Sequence, residues 1–201
     1  LCCLQLGVFV WFARRYPITP FSDFEGYWNE AGNPAEYFKG GALAYLFWPL
    51  KALGLSPTIA ALILHSLSFL GVVITTVRYG FRAQAGVPIY RILALVPLFL
   101  WFSIWVPLVG FVEVMLIHTS FLIIGLQMMY LSQRRFTIFI GMIFVYMSFT
   151  MRAQAMLIFG ILIVVFGVLS RLVRIDHRFA KRTLLLIPCL VLAVGTETTL
   201  L

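Results

Sequence analysis

Long apolar runs separated by short polar stretches make up most of the chain. A helix that crosses a bilayer needs about 17–25 mainly apolar residues, and several runs reach or approach that length. The predicted spans are residues 1–13, 57–77, 92–112, 114–133, 136–151, 153–170 and 183–199. Apolar and polar residues do not alternate in these runs, which favours helices over the strands of a barrel. The sequence therefore predicts an all-α, polytopic transmembrane helical bundle of about seven spans.

The composition favours a membrane protein over a soluble one. Of the 201 residues, 62% are hydrophobic and 11% are charged, whereas a soluble domain carries about 25% charged residues. No basic stripe accompanies the net charge of +8, so nucleic acid is not an expected partner. The cysteines and histidines lack metal-ligand spacing, so the sequence indicates no metal site. It also contains no phosphate-loop or dinucleotide-binding pattern, so no cofactor is expected. Because the sequence opens and ends inside apolar runs, we expect it to be part of a longer protein.

Charge is distributed unequally over the two faces that alternating spans would create. One face receives ten of the 15 basic residues and a single acid, Asp176. The other face receives six of the seven acids. The ten basic residues are Arg78, Arg82, Arg91, Arg134, Arg135, Arg171, Arg174, Arg178, Lys181 and Arg182. Since lysine and arginine accumulate in cytoplasmic loops, this face is predicted to be cytoplasmic.

One long exterior connection, residues 14–56, joins the first two predicted spans. Short helices are predicted at about residues 24–30 and 41–53, because Asn33-Pro34 and Gly40-Gly41 break the chain between them. The second helix is apolar but too short to cross a bilayer. Its tyrosine, tryptophan and lysine are typical of a helix that lies in the headgroup region.

Two acids near the start of this connection are candidates for catalysis. Asp23 and Glu25 follow Pro17-Ile18-Thr19-Pro20, whose prolines restrict the backbone. A carboxylate here could act as a general base that takes a proton from an acceptor hydroxyl. The alternative is that both acids are solvated charges of an exterior loop.

Three further groups stand at the exterior ends of later spans. Glu113 separates two apolar runs and His118 follows five residues later; ionisable groups near membrane depth are functional candidates, although Glu113 could simply mark a turn in water. Arg152 is the sole charge between the fifth and sixth runs, against the positive-inside bias. Bidentate binding of a phosphate would explain it. A snorkelling arginine at a helix end is the alternative.

Short motifs resemble those of the GT-C superfamily of membrane glycosyltransferases. Ser22-Asp23-Phe24-x-x-Tyr27 and the later Tyr45-x-x-x-Pro49-Leu50 are most similar to glycosyltransferase family 87, the polyprenyl-phosphate-mannose-dependent mannosyltransferases. Arg152-Ala153-Gln154 resembles a basic-Pro-Gln motif of that family, with alanine at the proline position.

The resemblance implies a transferase that moves a mannose-like sugar from a polyprenyl-phosphate donor to a lipid or glycan acceptor. Its active site would face outward from a bacterial plasma membrane. In that reading Asp23 is the catalytic base and Arg152 holds the phosphate of the donor. The remaining predicted substrate contacts are Glu25, Tyr27, Glu113, His118 and Gln154.

Two other classes of membrane protein share this topology. One is an envelope polysaccharide polymerase or ligase, which usually has its large exterior loop later in the chain. The other is a non-enzymatic transporter of lipid-linked glycans. Transporters commonly have charged residues deep within their spans, and the predicted spans lack them.

The charge asymmetry generates a prediction about topology. Asp23, Glu113 and Arg152 are expected on the exterior face, and Arg134 and Arg178 on the cytoplasmic face. Single cysteines at these positions, in a background without the native cysteines, can be treated with a membrane-impermeant thiol reagent in intact cells. Labelling is expected at position 23 and not at position 178, and the reverse pattern would disprove the orientation.

Overall fold

A computed structural model describes residues 7, 11, 23–33, 41–80, 114–151, 157, 160–161 and 177–198. The regular structure in these residues is helical throughout, which confirms the all-α prediction for this part of the chain. The helices are α1 (Asp23–Glu30), α2 (Gly41–Ala52), α3 (Pro57–Thr75), which continues into a π-helical turn (Thr76–Gly80), α4 (Val114–Leu131), α5 (Arg135–Met151), α6 (His177–Leu184) and α7 (Leu186–Thr198). The predicted spans at 1–13, 92–112 and 153–170 lie almost wholly outside the described residues.

Among the described helices, one is long and apolar enough to cross a bilayer. The segment Pro57–Tyr79 has 23 residues and a mean hydropathy of 2.0. At 1.5 Å per residue it is about 34 Å long, compared with about 30 Å of hydrocarbon in a typical bilayer. Shorter apolar helices occupy Ile117–Leu131 and Arg135–Met151. The fold therefore contains at least one helix that could cross a membrane.

The corner between α2 and α3 is fixed by backbone geometry. The amide of Gly54 donates to the Lys51 carbonyl at 2.9 Å and the amide of Leu55 donates to the Leu50 carbonyl at 3.2 Å. Gly54 has a φ of 74°, the left-handed conformation that glycine adopts at the end of a helix. Ser56 then caps α3, because its Oγ accepts from the Ile59 amide at 3.4 Å.

Two glycines bring α4 and α5 into direct backbone contact. A Cβ added to Gly125 would lie 2.7 Å from the Gly141 carbonyl oxygen and 2.7 Å from Cγ2 of Val145. A Cβ on Gly141 would lie 2.8 Å from the Gly125 carbonyl oxygen. Since no larger residue fits at either position, small residues set the separation of these helices. The two helices are joined only by residues 132–134 and form an antiparallel hairpin.

Helices α3 and α4, unlike α4 and α5, run in the same direction, as two contacts show. Cδ1 of Ile124 lies 2.7 Å from the position of a Cβ on Gly71. Farther along, Nε2 of Gln127 donates to Oγ1 of Thr76 at 2.8 Å. Both contacts advance in the same direction on the two helices, so α3 and α4 run parallel.

Helix α6 closes the C-terminal end of α4. The guanidinium of Arg182 donates to the backbone carbonyls of Tyr130 and of Ser132, the latter at 2.7 Å. The Tyr130 hydroxyl lies 2.7 Å from Oγ1 of Thr183. The last carbonyls of a helix lack intrahelical partners, and the arginine supplies both hydrogen bonds and a positive charge at this negative end.

Helix α7 runs parallel to α5. Arg182 contacts Ser132 just before α5 begins, and Sγ of Cys189 lies 3.6 Å from the Met142 carbonyl oxygen inside α5. The contacts therefore advance together along both helices. Leu186, Cys189 and other buried residues of α7 join an apolar cluster with α4 and α5.

The structure divides the last predicted span, residues 183–199, into two helices. Thr183 belongs to α6, Leu185 is a turn, and α7 begins at Leu186. Pro188 explains the break, because a proline has no amide hydrogen and its ring excludes a helical carbonyl four residues earlier. The amide of Leu185 instead donates to the Arg182 carbonyl at 3.2 Å.

These directions give the bundle two chemically different ends. The ends of α3 and α4, the start of α5 and helix α6 lie together and carry Arg78, Arg134, Arg135, Lys181 and Arg182. We call this the basic end. The starts of α3 and α4 and the last turn of α5 meet α1 and α2 at the opposite end, which we call the loop end.

The sides of the bundle expose large apolar side chains. Along α3 and the π-helical turn that follows it, Leu67, Ile74 and Val77 are each more than half exposed. On α5, Phe136 and Phe139 are 74% and 58% exposed. Apolar surface of this extent is what a lipid-facing side presents.

The contact between α4 and α5 generates a stability prediction. Gly125→Ala is expected to lower the free energy of unfolding by about 1–3 kcal/mol, because the added methyl group overpacks a backbone contact. The measurement is denaturant-induced unfolding of the purified protein in mixed micelles, followed by circular dichroism.

Gly195→Ala in α7 is the matched control, because nothing lies within 4 Å of a Cβ at Gly195. It is expected to be neutral or to stabilise by up to about 1 kcal/mol through higher helix propensity. Equal effects of the two substitutions would contradict the close-packing interpretation.

Candidate functional site

Helix α1 presents one face to the bundle. Tyr27 and Glu30 are 5% and 8% exposed, whereas Asn29 is exposed. Helix positions four and seven apart share a face, so position 23 falls on the face of Tyr27 and Glu30. Position 25 falls with Asn29 on the outer face. Helical register therefore favours residue 23 over residue 25 for a role next to the bundle.

Lys51 of α2 holds the C-terminal end of α1. Its Nζ donates to the Trp28 carbonyl at 2.7 Å and to the Asn29 carbonyl at 3.3 Å. The same Nζ lies 5.4 Å from the centroid of the Trp28 ring, and that ring meets Phe47 edge-on at 5.9 Å. A cation near the carbonyl end of a helix is favourable, and the aromatic face adds a cation–π contact. The charged group and the two rings together fix α1 on α2.

One apolar cluster joins the elements of the loop end. It contains Tyr27 of α1, Phe47 of α2, Ala60 of α3, Ile117 of α4 and Met151 of α5. Ile117 precedes the predicted site residue His118 in the sequence, and Met151 precedes Arg152. The cluster therefore brings α1, which begins at Asp23, together with Ile117 and Met151, the residues that directly precede His118 and Arg152. The 5% exposure of Tyr27 leaves little of its ring for a substrate to touch.

His118 lies in the second turn of α4 and is half-buried. Its Nδ1 lies 3.4 Å from Oγ1 of Thr119, and the donor depends on the tautomer of the imidazole. The histidine is thus at the loop end of the bundle, beside the cluster that contains Tyr27.

A layer of buried hydroxyl groups lies between the loop end and the centre of the bundle. Ser68, Ser120 and Ser148 are 6%, 1% and 0% exposed. The contacts between α3, α4 and α5 put these three residues at a similar height. Oγ of Ser148 has no hydrogen-bond partner among the described residues. This layer therefore retains hydrogen-bonding capacity inside an otherwise apolar region.

The described part of the chain locates only some of the predicted site residues. Tyr27, His118 and the helix that carries Asp23 and Glu25 are at the loop end, with only the backbone of those two acids described. Glu113, Arg152 and Gln154 lie outside the described residues. Within the described ranges, no three or more His, Cys, Asp or Glu side chains come together as a group that could bind a metal.

Sequence reasoning missed two residues that the structure brings into this region. Glu30 is a buried acid at the C-terminal end of α1, the end whose carbonyls accept from Lys51. Its spacing of seven residues from Asp23 places both positions on one helix face, which is a signal that the sequence contains. Lys51 lies more than 20 residues from its partners in the sequence, so no local pattern could indicate its role.

Comparisons with known proteins give no relative for this chain: no protein-family model, no curated protein and no solved structure matches it.

The contacts of Lys51 generate a prediction about local stability. Lys51→Met keeps the apolar stem but removes two hydrogen bonds and the charge at the end of α1. Hydrogen bonds that involve a charged group contribute about 1.5–3 kcal/mol. We therefore expect amide hydrogen exchange in residues 23–33 to become at least about tenfold faster, measured by mass spectrometry.

Lys181→Met is the matched control, because Lys181 is exposed at the basic end. It is expected to leave exchange in α1 unchanged. Unaltered protection of α1 in Lys51→Met would show that the lysine does not hold this helix.

Proposed function

We propose that the protein is an integral membrane glycosyltransferase that moves a mannose-like sugar from a polyprenyl-phosphate donor to a lipid or glycan acceptor. The observation that carries the proposal is the docking of α1 at the loop end. There the helix that begins at Asp23 shares one apolar cluster with the start of α4 and the end of α5. The candidate base, Asp23, thus belongs to a helix that is packed near Ile117 and Met151, which directly precede His118 and Arg152.

The seven-span topology is part of this proposal, and the directions of the described helices support it. Alternating spans require the second and fourth spans to run one way and the fifth and seventh to run the other way. Helices α3 and α4 are parallel to each other, and α5 and α7 run opposite to α4. This pattern needs one return of the chain between residues 80 and 114 and another between 151 and 177, and predicted spans occupy both intervals.

The charges of the bundle support one orientation in the membrane. The basic end carries arginines and lysine, and cytoplasmic loops are enriched in these residues. The loop end then faces outward from a bacterial plasma membrane. Tyr45 and Trp48 of α2 are 55% and 52% exposed, and such side chains prefer the headgroup region. Helices α1 and α2 therefore suit the headgroup region on the outward-facing side of the plasma membrane, where a polyprenyl-phosphate donor would present its sugar.

The proposed reaction is a single displacement at the anomeric carbon. The Asp23 carboxylate takes the proton of an acceptor hydroxyl, and that oxygen forms a bond to the anomeric carbon. The bond between this carbon and the phosphate oxygen breaks, and its electron pair leaves with the polyprenyl phosphate. Arg152 would bind this phosphate through paired N–H groups, which match its oxygen atoms.

The other predicted contacts would surround the sugar. Glu113 and His118 belong to the beginning of α4 or directly precede it, and Gln154 follows Arg152 by two residues. On α1, position 25 falls on the outer face and Tyr27 is buried, so these two predicted contacts are expected to contribute least to binding of the sugar. Of these groups, Tyr27 has the clearest second role, since its buried ring also anchors α1 to the bundle.

The test is Asp23→Asn in the full-length protein. Transfer of radiolabelled sugar from a polyprenyl-phosphate donor to a lipid acceptor in membranes is expected to fall by about 10²–10⁴-fold, the usual contribution of a general base. Folding should be unaffected, because the side chains have nearly the same size and the position begins a helix.

Glu25→Gln is the matched control on the same helix. Two helical positions two apart point about 200° apart, so its effect on transfer is expected to be small. Undiminished transfer by Asp23→Asn at equal protein level would remove Asp23 as the base. Equal losses in both variants would contradict the assignment by helical register.

A further inference from the structure

A cleft of about 370 Å³ opens at the basic end, far from the proposed transferase site. Arg78 and Tyr79 line it from the π-helical turn after α3. Arg134, which directly precedes α5, and Thr137 in its first turn line it from the other side. The last residue of α4, Leu131, and the turn residues Ser132 and Gln133 complete the wall. Two guanidinium groups and several hydroxyl or amide groups thus surround one concave site.

The π-helical turn accounts for the position of Arg78. Residues Thr76–Gly80 continue α3 with a wider helical turn, and such turns recur at functional sites. Thr76 is 1% exposed and is held by the hydrogen bond from Gln127. The turn is therefore pinned to α4 at its first residue, while Arg78 two positions later is exposed in the cleft.

No aspartate or glutamate lies in the described part of the basic end; the acids of the described residues are in α1 and in the last turn of α7, and Asp176, which directly precedes α6, lies outside the described residues. Neither aspartate nor glutamate occurs in residues 41–80, 114–151 or 177–196. Arg182 already donates to the end of α4, so Arg134 is not needed to cap that helix. Among the described residues, the guanidinium groups of Arg78 and Arg134 make no hydrogen bond, and that of Arg78 lies 5.8 Å from the centroid of the Tyr79 ring. An anion is the ligand that would complete this arrangement.

The surroundings of the cleft distinguish a lipid from a soluble anion. Ile74 and Val77 precede Arg78 on an exposed face of α3, and Phe136 and Phe139 follow Arg134 on an exposed face of α5. A charged headgroup site that borders apolar surface on two helices suits a molecule with a phosphate and acyl chains.

We propose that this cleft binds the phosphate headgroup of an anionic membrane lipid at the cytoplasmic face. The guanidinium groups of Arg78 and Arg134 contact the phosphate oxygens, and the hydroxyl groups of Tyr79 and Thr137 donate further hydrogen bonds. The acyl chains lie against the exposed apolar residues of α3 and α5. This site requires the bundle to lie in a membrane but is independent of sugar transfer.

The experiment uses the full-length protein in mild detergent and native mass spectrometry to measure bound lipid. Phosphatidylglycerol and phosphatidylcholine are titrated separately against the unmodified protein, Arg78→Gln, Arg134→Gln and the double variant. Each arginine near an anionic lipid contributes about fivefold in affinity. The apparent Kd for phosphatidylglycerol is therefore expected to rise about fivefold in each single variant and about 25-fold in the double variant.

Arg135→Gln is the matched control, because Arg135 is exposed beside the cleft but does not line it. Its Kd for phosphatidylglycerol should change less than about twofold, which would support a defined site over diffuse attraction by surface charge. Phosphatidylcholine binding should be equal in all variants.

Three results would overturn the proposal. One is an unchanged Kd in the double variant at unchanged helicity. Another is an equal loss in Arg135→Gln, which would indicate surface charge alone. The third is displacement of phosphatidylglycerol by inorganic phosphate at comparable concentration, which would indicate a site for a free anion.

Discussion

The backbone contact between Gly125 and Gly141 is the constraint on which the rest of the bundle depends. In the proposed membrane setting, lipid chains are as apolar as the side chains next to them, so helices associate through close packing rather than through the hydrophobic effect. The two glycines allow carbonyl oxygens to approach positions where any Cβ would collide. They therefore fix both the separation and the register of α4 and α5, and with it the height of Ser120 relative to Ser148.

Fixed register gives the two ends of the bundle separate chemistry. At the basic end, α6 reaches the last carbonyls of α4 through Arg182, so the turn before α5 is held in one geometry. At the loop end, Lys51 does the corresponding work for α1 through the Trp28 and Asn29 carbonyls. Both cations satisfy helix C-termini that would otherwise lack hydrogen-bond partners. Each contact also brings a helix distant in the sequence to its place.

Sequence pattern predicted the elements better than their partners. Apolar length alone located α3, α4 and α5 to within two residues, and glycine and proline breaks located α1 and α2. The same helices are apolar on nearly all sides, so no stripe indicates which face is buried. The role of Lys51 depends on a contact across 23 residues, which local periodicity cannot contain. Pro188 is a signal in the sequence for the division at Leu185. The segment is uniformly apolar, however, and apolar length alone predicts a single span there.

The distance between the two proposed sites constrains how they can affect each other. Helix α4 has 18 residues, so the loop end and the basic end are separated by about 27 Å along its axis. A lipid at Arg78 and Arg134 can influence the loop end only by shifting α3 or α5 relative to α4. The glycine contact resists such movement between α4 and α5, because a displaced helix would bring backbone atoms into collision. The α3–α4 contact, made by Ile124 against Gly71 and by the Thr76–Gln127 hydrogen bond, is the more adjustable of the two. Any coupling between lipid binding and sugar transfer would therefore pass through α3, whose π-helical turn begins at Thr76.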